Sequence, residues 1–308
     1  MAPSDSVNGW AALPAEYAIP EIPPSLEESR AYCERLAKSH YENFSVATWF
    51  LPRKLRPHFY SIYAYCRISD DLGDEVGNPQ QSLALLDAWE DELNACYAGS
   101  PRHPVFVALR PTILQCGIPR DPFANLLKAF RQDQSVTRYQ TFDDLLGYCL
   151  NSANPVGRLV LYACGYSDAE RQQLSDFTCT ALQLANFWQD VSVDYLKGRI
   201  YIPLEDLRRY DIREADIAER RFSPHFRELM QFEVTRAREW FRRGRPLIGM
   251  VDRELAIDIE LFTRGGEEIL KCIERQDYDV LRARPAISKP RKFALVAGAA
   301  IQALRSRL

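Results

Sequence analysis

The chain has 308 residues, with 39 Lys and Arg against 42 Asp and Glu, a formal net charge of -3. Near balance of charge argues against a nucleic-acid binder, which carries a basic excess. With 46% apolar and 26% charged residues, the composition also excludes disordered, collagen-like and disulfide-scaffold chains, leaving a folded globular protein.

Residues 1–24 are rich in proline and read as an extended arm over the surface; they lack the basic and apolar regions of a signal peptide. From Ser25 onward the chain reads helix after helix. SLEESRAYCERLAKSHYENF places Leu26, Tyr32, Cys33, Leu36 and Tyr41 at near-helical intervals, and HFYSIYAYCRISDDLGDEV continues with Phe59, Ile62, Tyr63 and Cys66 on one stripe. Further helices are expected in SLALLDAWEDELNACYAG, PVFVALRPTILQCG, PFANLLKAFRQDQSV, TFDDLLGYCLNSANPVGRLVLYACG and DAERQQLSDFTCTALQLANFWQDVSVDYLKG, with two more and a last one after RIYIPLEDLRRYDI. Gly99-Ser100-Pro101, Gly117-Ile118-Pro119 and Gly165 before Asp168 mark helix ends. No sustained strand alternation appears. The expectation is one all-α domain of about ten helices over 25–308, some of them apolar on more than one face and so central to the bundle.

The eight cysteines show no CxxC spacing and sit mostly in apolar stretches, so they read as reduced, buried small hydrophobes in a cytoplasmic setting. Only four histidines are present, and a zinc site is not expected. Neither GxGxxG nor GxxxxGK occurs, so any phosphate must be held without a glycine cradle.

Two acidic segments stand out. Residues four apart share a helix face, so Asp70 and Asp74 point the same way, and so do Asn186, Asp190 and Asp194. Their company is apolar: Tyr63, Cys66 and Leu72 in the first segment, Leu184, Phe187, Trp188 and Val191 in the second. Like charges at this spacing cost a few tenths of a kcal/mol each, and partly buried ones need cations. No basic run at helical spacing answers them nearby. Mg²⁺ is the natural partner, because it binds through one or two carboxylates plus waters and phosphate oxygens. Two such helices across a cavity would grip a diphosphate, with Arg67, Lys197 and Arg199 adding charge-assisted contacts.

As a set, YAYCRISDDLGDE and LQLANFWQDVSVDYLKGRIYIP resemble the motifs of the squalene/phytoene synthases, the head-to-head trans-isoprenyl diphosphate synthases, over His40 to Arg291. The resemblance implies a helical isoprenoid synthase bundle around a hydrophobic cavity. It further implies two or three Mg²⁺ ions with diphosphate, held by Asp70, Asp74, Asn186, Asp190 and Asp194. Arg67 and Arg199 would contact diphosphate, while Lys197 and Tyr201 follow the second motif. Tyr63 and Gln183 would line the cavity, and HYENF, with His40, Tyr41, Asn43 and Phe44, would form its mouth.

Within the family, HYENF, SANPVGRLVL, NFWQDV and GGEEILKCIERQDYDVLRARP look like the hydroxysqualene synthase branch of bacterial hopanoid biosynthesis. That branch is implied to turn presqualene diphosphate and water into hydroxysqualene and diphosphate. The alternative is a presqualene diphosphate, squalene or phytoene synthase that condenses two prenyl diphosphates head-to-head. The sequence departs from the wider family in three ways: Gln189 stands where Arg is common, Gly266 where a Tyr is common, and Asn154, Pro155 and Arg158 make the cavity helix more polar. Phe44, Tyr63, Phe187 and Trp188 are candidates for steadying a cation. The tail FALVAGAAIQAL reads as an amphipathic last helix, with peripheral docking on the inner membrane face beside other hopanoid-pathway enzymes as the alternative.

Overall fold

A computed structural model describes residues 13–39 and 52–305, with side chains to residue 298. Among the described residues there are thirteen α-helices: α1 (Leu26–Ser39), α2 (Arg56–Asp74), α3 (Pro79–Ala98), α4 (Pro104–Cys116), α5 (Asp121–Gln132), α6 (Phe142–Ser152), α7 (Asn154–Ala163), α8 (Ala169–Leu196), α9 (Leu204–Arg209), α10 (Glu214–Ala218), α11 (Pro224–Gly244), α12 (Arg253–Arg275) and α13 (Lys289–Arg305). The only β feature among them is an isolated parallel bridge between Arg138 and Ile200. The fold is all-α, as expected.

Helix starts follow their local chemistry. Asn78 caps α3 by accepting from the Gln80 and Gln81 amides, with Pro79 at the first position. Thr141 and Asp144 form a reciprocal capping box at α6. Asp168 caps α8 and Ser223 caps α11. Gly99 ends α3 at φ 103°, a conformation open to glycine and costly for other residues.

One expected helix is two. TFDDLLGYCLNSANPVGRLVLYACG breaks at Ala153, where φ is -105° and ψ is -48°, and α7 restarts at Asn154. Pro155 has no amide to donate, so it suits the first turn of a new helix and not the middle of a continuous one.

The contacts group the chain into two compact units, Met1–Ser135 with Arg158–Ser167, and Val136–Gly157 with Asp168–Leu308. Both units draw on the 25–308 range expected to form one domain.

In the first unit, α2 packs against α1, α3, α4 and α5. Its buried stripe is Ile62, Tyr65, Ile68, Ser69 and Leu72. The Tyr65 ring meets Phe123 edge-on at 4.9 Å and lies 6.4 Å from Trp89. Two ring polar atoms of this core are paired: the Tyr65 hydroxyl donates to the Phe123 carbonyl at 2.8 Å, and Trp89 Nε1 to Ser69 Oγ at 3.0 Å. Fully burying such rings contributes about 4–6 kcal/mol each before entropy is counted. This locked stripe fixes the rotation of α2, so the opposite face carries Tyr63, Arg67, Asp70 and Asp74. The arm joins this unit too, because Leu13 and Tyr17 are buried.

In the second unit the 28-residue α8 packs against α6, α11 and α12. Leu184, Ala185, Trp188 and Val191 form its buried side. Gly266 explains itself here: a Cβ at that position would stand 2.4 Å from Phe241 Cζ and 2.9 Å from Leu182 Cδ2. The Phe241 ring occupies the space that a side chain at 266 would need.

Candidate active site

One acidic segment lies in each unit. On α2, Tyr63, Arg67 and Asp70 are half-buried and Asp74 is exposed. Desolvation first, and the charge of Asp74 second, push the Asp70 carboxyl up to about 6. Arg67 Nη1 lies 3.9 Å from Asp70 Oδ2, a loose approach. The main commitment of this guanidinium is to Asp71, which is buried: Arg67 Nε donates to Oδ2 at 3.1 Å, and Nη2 pairs with Oδ1. Asp71 also accepts from the Tyr17 hydroxyl at 2.7 Å. Of the adjacent aspartates, Asp71 therefore anchors a cation, and Asp70 is left with a weaker counter-charge.

On α8, Gln183 is half-buried, Asn186 is exposed, and Asp190 and Asp194 are half-buried on the same face. Asp194 is pushed up to about 7 by desolvation and then by Asp190, against the pull of Lys197, Arg199 and Arg284. Lys197 is exposed beyond the helix end, and the Arg199 amide donates to the Asp194 carbonyl at 2.9 Å. That bond folds the chain back, so Lys197 and Arg199 follow the acids closely.

Sequence reading expected these acids to lack basic partners, and this is corrected at Asp190. Arg284, on the loop between α12 and α13, forks onto Asp190: Nε pairs with Oδ1, and Nη2 donates to Oδ2 at 3.1 Å. Its Nη2 also reaches Gln189 Oε1 at 3.2 Å, while Gln189 Nε2 donates to the Pro285 carbonyl at 2.5 Å. Gln189 is buried and so ties this loop to α8. An arginine at 189 would face Arg284, so glutamine at this position suits a cation supplied from the loop. Arg284 lies 94 residues from Asp190 and no local spacing points to it.

The expected aromatic candidates divide. Phe187 is buried and stacks on Tyr201, with centroids 3.9 Å apart and planes at 11°. Tyr148 and Tyr139 extend the cluster, at 5.9 Å each from Tyr201. Trp188 is fully buried among apolar neighbours, which makes it a packing residue. Asn154, expected to make a cavity more polar, is buried and accepts from Thr180 Oγ1 at 3.0 Å, so its carbonyl is already used. Arg158 is half-buried. His40, Tyr41, Asn43 and Phe44 lie outside the described residues.

The donor set fits a hard divalent cation. Each segment offers carboxylate oxygens, and α8 an amide oxygen as well; burial first and a neighbouring aspartate second push the Asp70 and Asp194 carboxyls up. Among the described residues no three His, Cys, Asp or Glu side chains converge on one point. Mg²⁺ takes few protein ligands and completes its shell with water and phosphate oxygens. All eight cysteines are free, and none joins these clusters in a thiolate site.

Known proteins share this architecture. The structure of the squalene synthase HpnC from Alicyclobacillus acidocaldarius matches with TM-score 0.79 and 46% identity, over 88% of this chain and 99% of that one. The 15-cis-phytoene synthase of Synechococcus elongatus is 30% identical over 291 residues, 91% of this chain and 94% of that protein. The hydroxysqualene synthase of Zymomonas mobilis is 30% identical over 246 residues, 77% of this chain and 80% of that protein. The squalene/phytoene synthase family model matches residues 23–291, which contain both acidic segments, and the chain belongs to the squalene/phytoene synthase family.

Proposed function

We propose that this family member is a hydroxysqualene synthase, converting presqualene diphosphate and water into hydroxysqualene and diphosphate with Mg²⁺. The observation that carries diphosphate chemistry is the surplus of carboxylate oxygens on α2 and α8, at Asp70 and Asp74 and at Asn186, Asp190 and Asp194. These residues would hold Mg²⁺, which when bound supplies positive charge to the leaving diphosphate.

The chain's own part is to bind, orient and exclude water. Arg67, Lys197 and Arg199 offer N–H donors to diphosphate oxygens, and charge-assisted bonds of this kind are the strong ones. Loss of diphosphate breaks a C–O bond and leaves a cyclopropylcarbinyl cation that rearranges. Water oxygen then bonds to the cation and gives up one proton, completing the alcohol. Aromatic faces such as Tyr63 and Tyr201 stabilise a passing cation by about 1 kcal/mol or more when dry. Greasy substrates suit a protein that visits a membrane surface; no helix among the described residues is long and apolar enough to cross one.

What supports the hydroxysqualene reading is the 30% identity to the Zymomonas hydroxysqualene synthase, while the 46% identity to the squalene synthase HpnC supports squalene-forming chemistry of the same family. A second reading is head-to-head condensation of two prenyl diphosphates to presqualene diphosphate, squalene or phytoene, favoured by the phytoene synthases at 30% identity. Purified protein given Mg²⁺ and presqualene diphosphate should release hydroxysqualene. Consumption of farnesyl diphosphate alone, with presqualene diphosphate accumulating, refutes the first reading and favours the second.

A further inference from the structure

The proline-rich arm has no part in the proposed chemistry, yet one of its side chains reaches the first acidic helix. Tyr17 ends a short 3-10 turn, Ala15–Tyr17, entered from Pro14. Its ring is 2% exposed. The turn is pinned on both sides: the Tyr17 amide donates to the Pro14 carbonyl at 2.8 Å, and the Tyr32 hydroxyl of α1 donates to the Glu16 carbonyl at 3.1 Å. The Tyr17 hydroxyl is thereby delivered to Asp71 Oδ2 at 2.7 Å.

Asp71 links the arm to Arg67. It is 5% exposed, so its charge needs compensation from inside the protein. One oxygen accepts from both Tyr17 and Arg67 Nε, and the other pairs with Arg67 Nη2. A carboxylate forked by one guanidinium alone can still swing together with it, because the terminal torsion of Asp is broadly distributed. A second donor from another chain segment removes that freedom. The guanidinium, forked onto a fixed carboxylate, then keeps Nη1 directed to the Asp70 side, 3.9 Å from its Oδ2. Tyrosine suits the task because burial and the Asp71 carboxylate push its pKa up, which keeps the hydroxyl a neutral donor.

We propose that Tyr17 is a positioning residue for diphosphate binding, acting through Asp71 to hold the Arg67 guanidinium beside Asp70. This role rests on Arg67 and Asp70 being diphosphate-site residues, as in the proposed function. It makes the arm a working part of the enzyme, where anchoring alone would leave ligand affinity untouched.

The test uses the full-length protein and inorganic pyrophosphate with Mg²⁺, titrated calorimetrically. Tyr17→Phe keeps the ring and deletes only the hydroxyl. Affinity should fall roughly fivefold, the size of one ordinary hydrogen bond and below the full worth of one to a charged group, because the effect passes through Asp71 and Arg67. In an Arg67→Gln background the same change should move affinity by less than about 1.5-fold, because its route is gone. With prenyl diphosphate substrate, KM should rise while kcat stays within about twofold, the signature of lost ground-state binding. Wild-type pyrophosphate affinity in Tyr17→Phe overturns the proposal, whatever happens to its melting temperature. An equal loss in both backgrounds overturns it as well. Asp70→Asn serves as the separate check on the underlying reading: if it leaves pyrophosphate binding intact, the diphosphate assignment itself fails.

Discussion

Asp258, on α12, is the charge in this fold with the poorest accommodation. It is 4% exposed, and neither carboxylate oxygen has a hydrogen-bond partner among the described residues. Desolvation alone pushes its carboxyl from the ordinary 3.8 up to about 8. Because the folded state binds this proton more tightly than the unfolded state, the group destabilises the fold progressively as pH rises from about 4 to about 8. Below that window both states are protonated and the penalty vanishes; above it the penalty is constant. At pH 7 the unfolded carboxyl has ionised over ~3 pH units, at about 1.36 kcal/mol each, which sets an upper bound of about 4 kcal/mol. Asn in its place cannot ionise but still buries an amide without partners, at a cost of about 1–3 kcal/mol. Asp258→Asn should therefore raise stability by about 1–3 kcal/mol at pH 7 and by nothing, or less than nothing, at pH 4. Guanidinium unfolding followed by circular dichroism at half-unit pH steps would measure the gap. Parallel profiles for wild type and variant across pH 4 to 8 would refute the reasoning, since an uncompensated carboxylate must make the gap widen.

Gly266→Ala places a methyl 2.4 Å from Phe241 Cζ, so overpacking should cost about 1–3 kcal/mol, partly recovered by Phe241→Leu in the double variant as read by unfolding midpoints. Arg236→Ala strips the guanidinium from the buried Asp206 and Glu233, and from its place 4.0 Å over the Phe142 ring; about 3 kcal/mol of stability should go, and an unchanged unfolding midpoint would refute it. Arg284→Lys replaces the fork on Asp190 by a single ammonium: turnover should drop about tenfold, while stability moves by less than about 1 kcal/mol because the side chain is half-exposed. Unchanged turnover in that variant removes Arg284 from the site. Asp70→Asn and Asp190→Asn should each abolish turnover with far-UV circular dichroism unchanged, and near-normal activity in either removes that residue's role.

What the sequence made legible is what repeats within a helical turn or two. The helical period of α2 is visible in one window, but the stripe read there, Phe59, Ile62, Tyr63 and Cys66, is offset from the buried one: Phe59 and Ile62 are buried, whereas Tyr65, Ile68 and Leu72 take the places given to Tyr63 and Cys66. The capping residues at Asp168 and Gly165 are equally local. The break between α6 and α7 was harder, because one proline in an apolar stretch is compatible with either a kinked helix or a fresh start. Gly266 reads as a mere departure until Phe241, 25 positions away, is seen filling its space.

The partners of the acids follow a different rule, and this limits any reading of charge from spacing. Helix period relates residues three or four apart, so it sees Asp70 with Asp74, and Asp190 with Asp194. It cannot see Tyr17 meeting Asp71 across 54 residues, or Arg284 meeting Asp190 across 94. Counting local cations therefore overstates how bare the acids are. Two of the four neighbouring carboxylates, Asp71 and Asp190, are matched by arginine, and it is at Asp70 and Asp194 that desolvation beside another aspartate raises the proton affinity. Asp70 and Asp194 are thus the acids of the two segments whose carboxyls are pushed up, each with an arginine close by. An arrangement of that kind favours a ligand carrying both metal and anionic oxygens, because the metal answers the carboxylate and the oxygens answer the arginine.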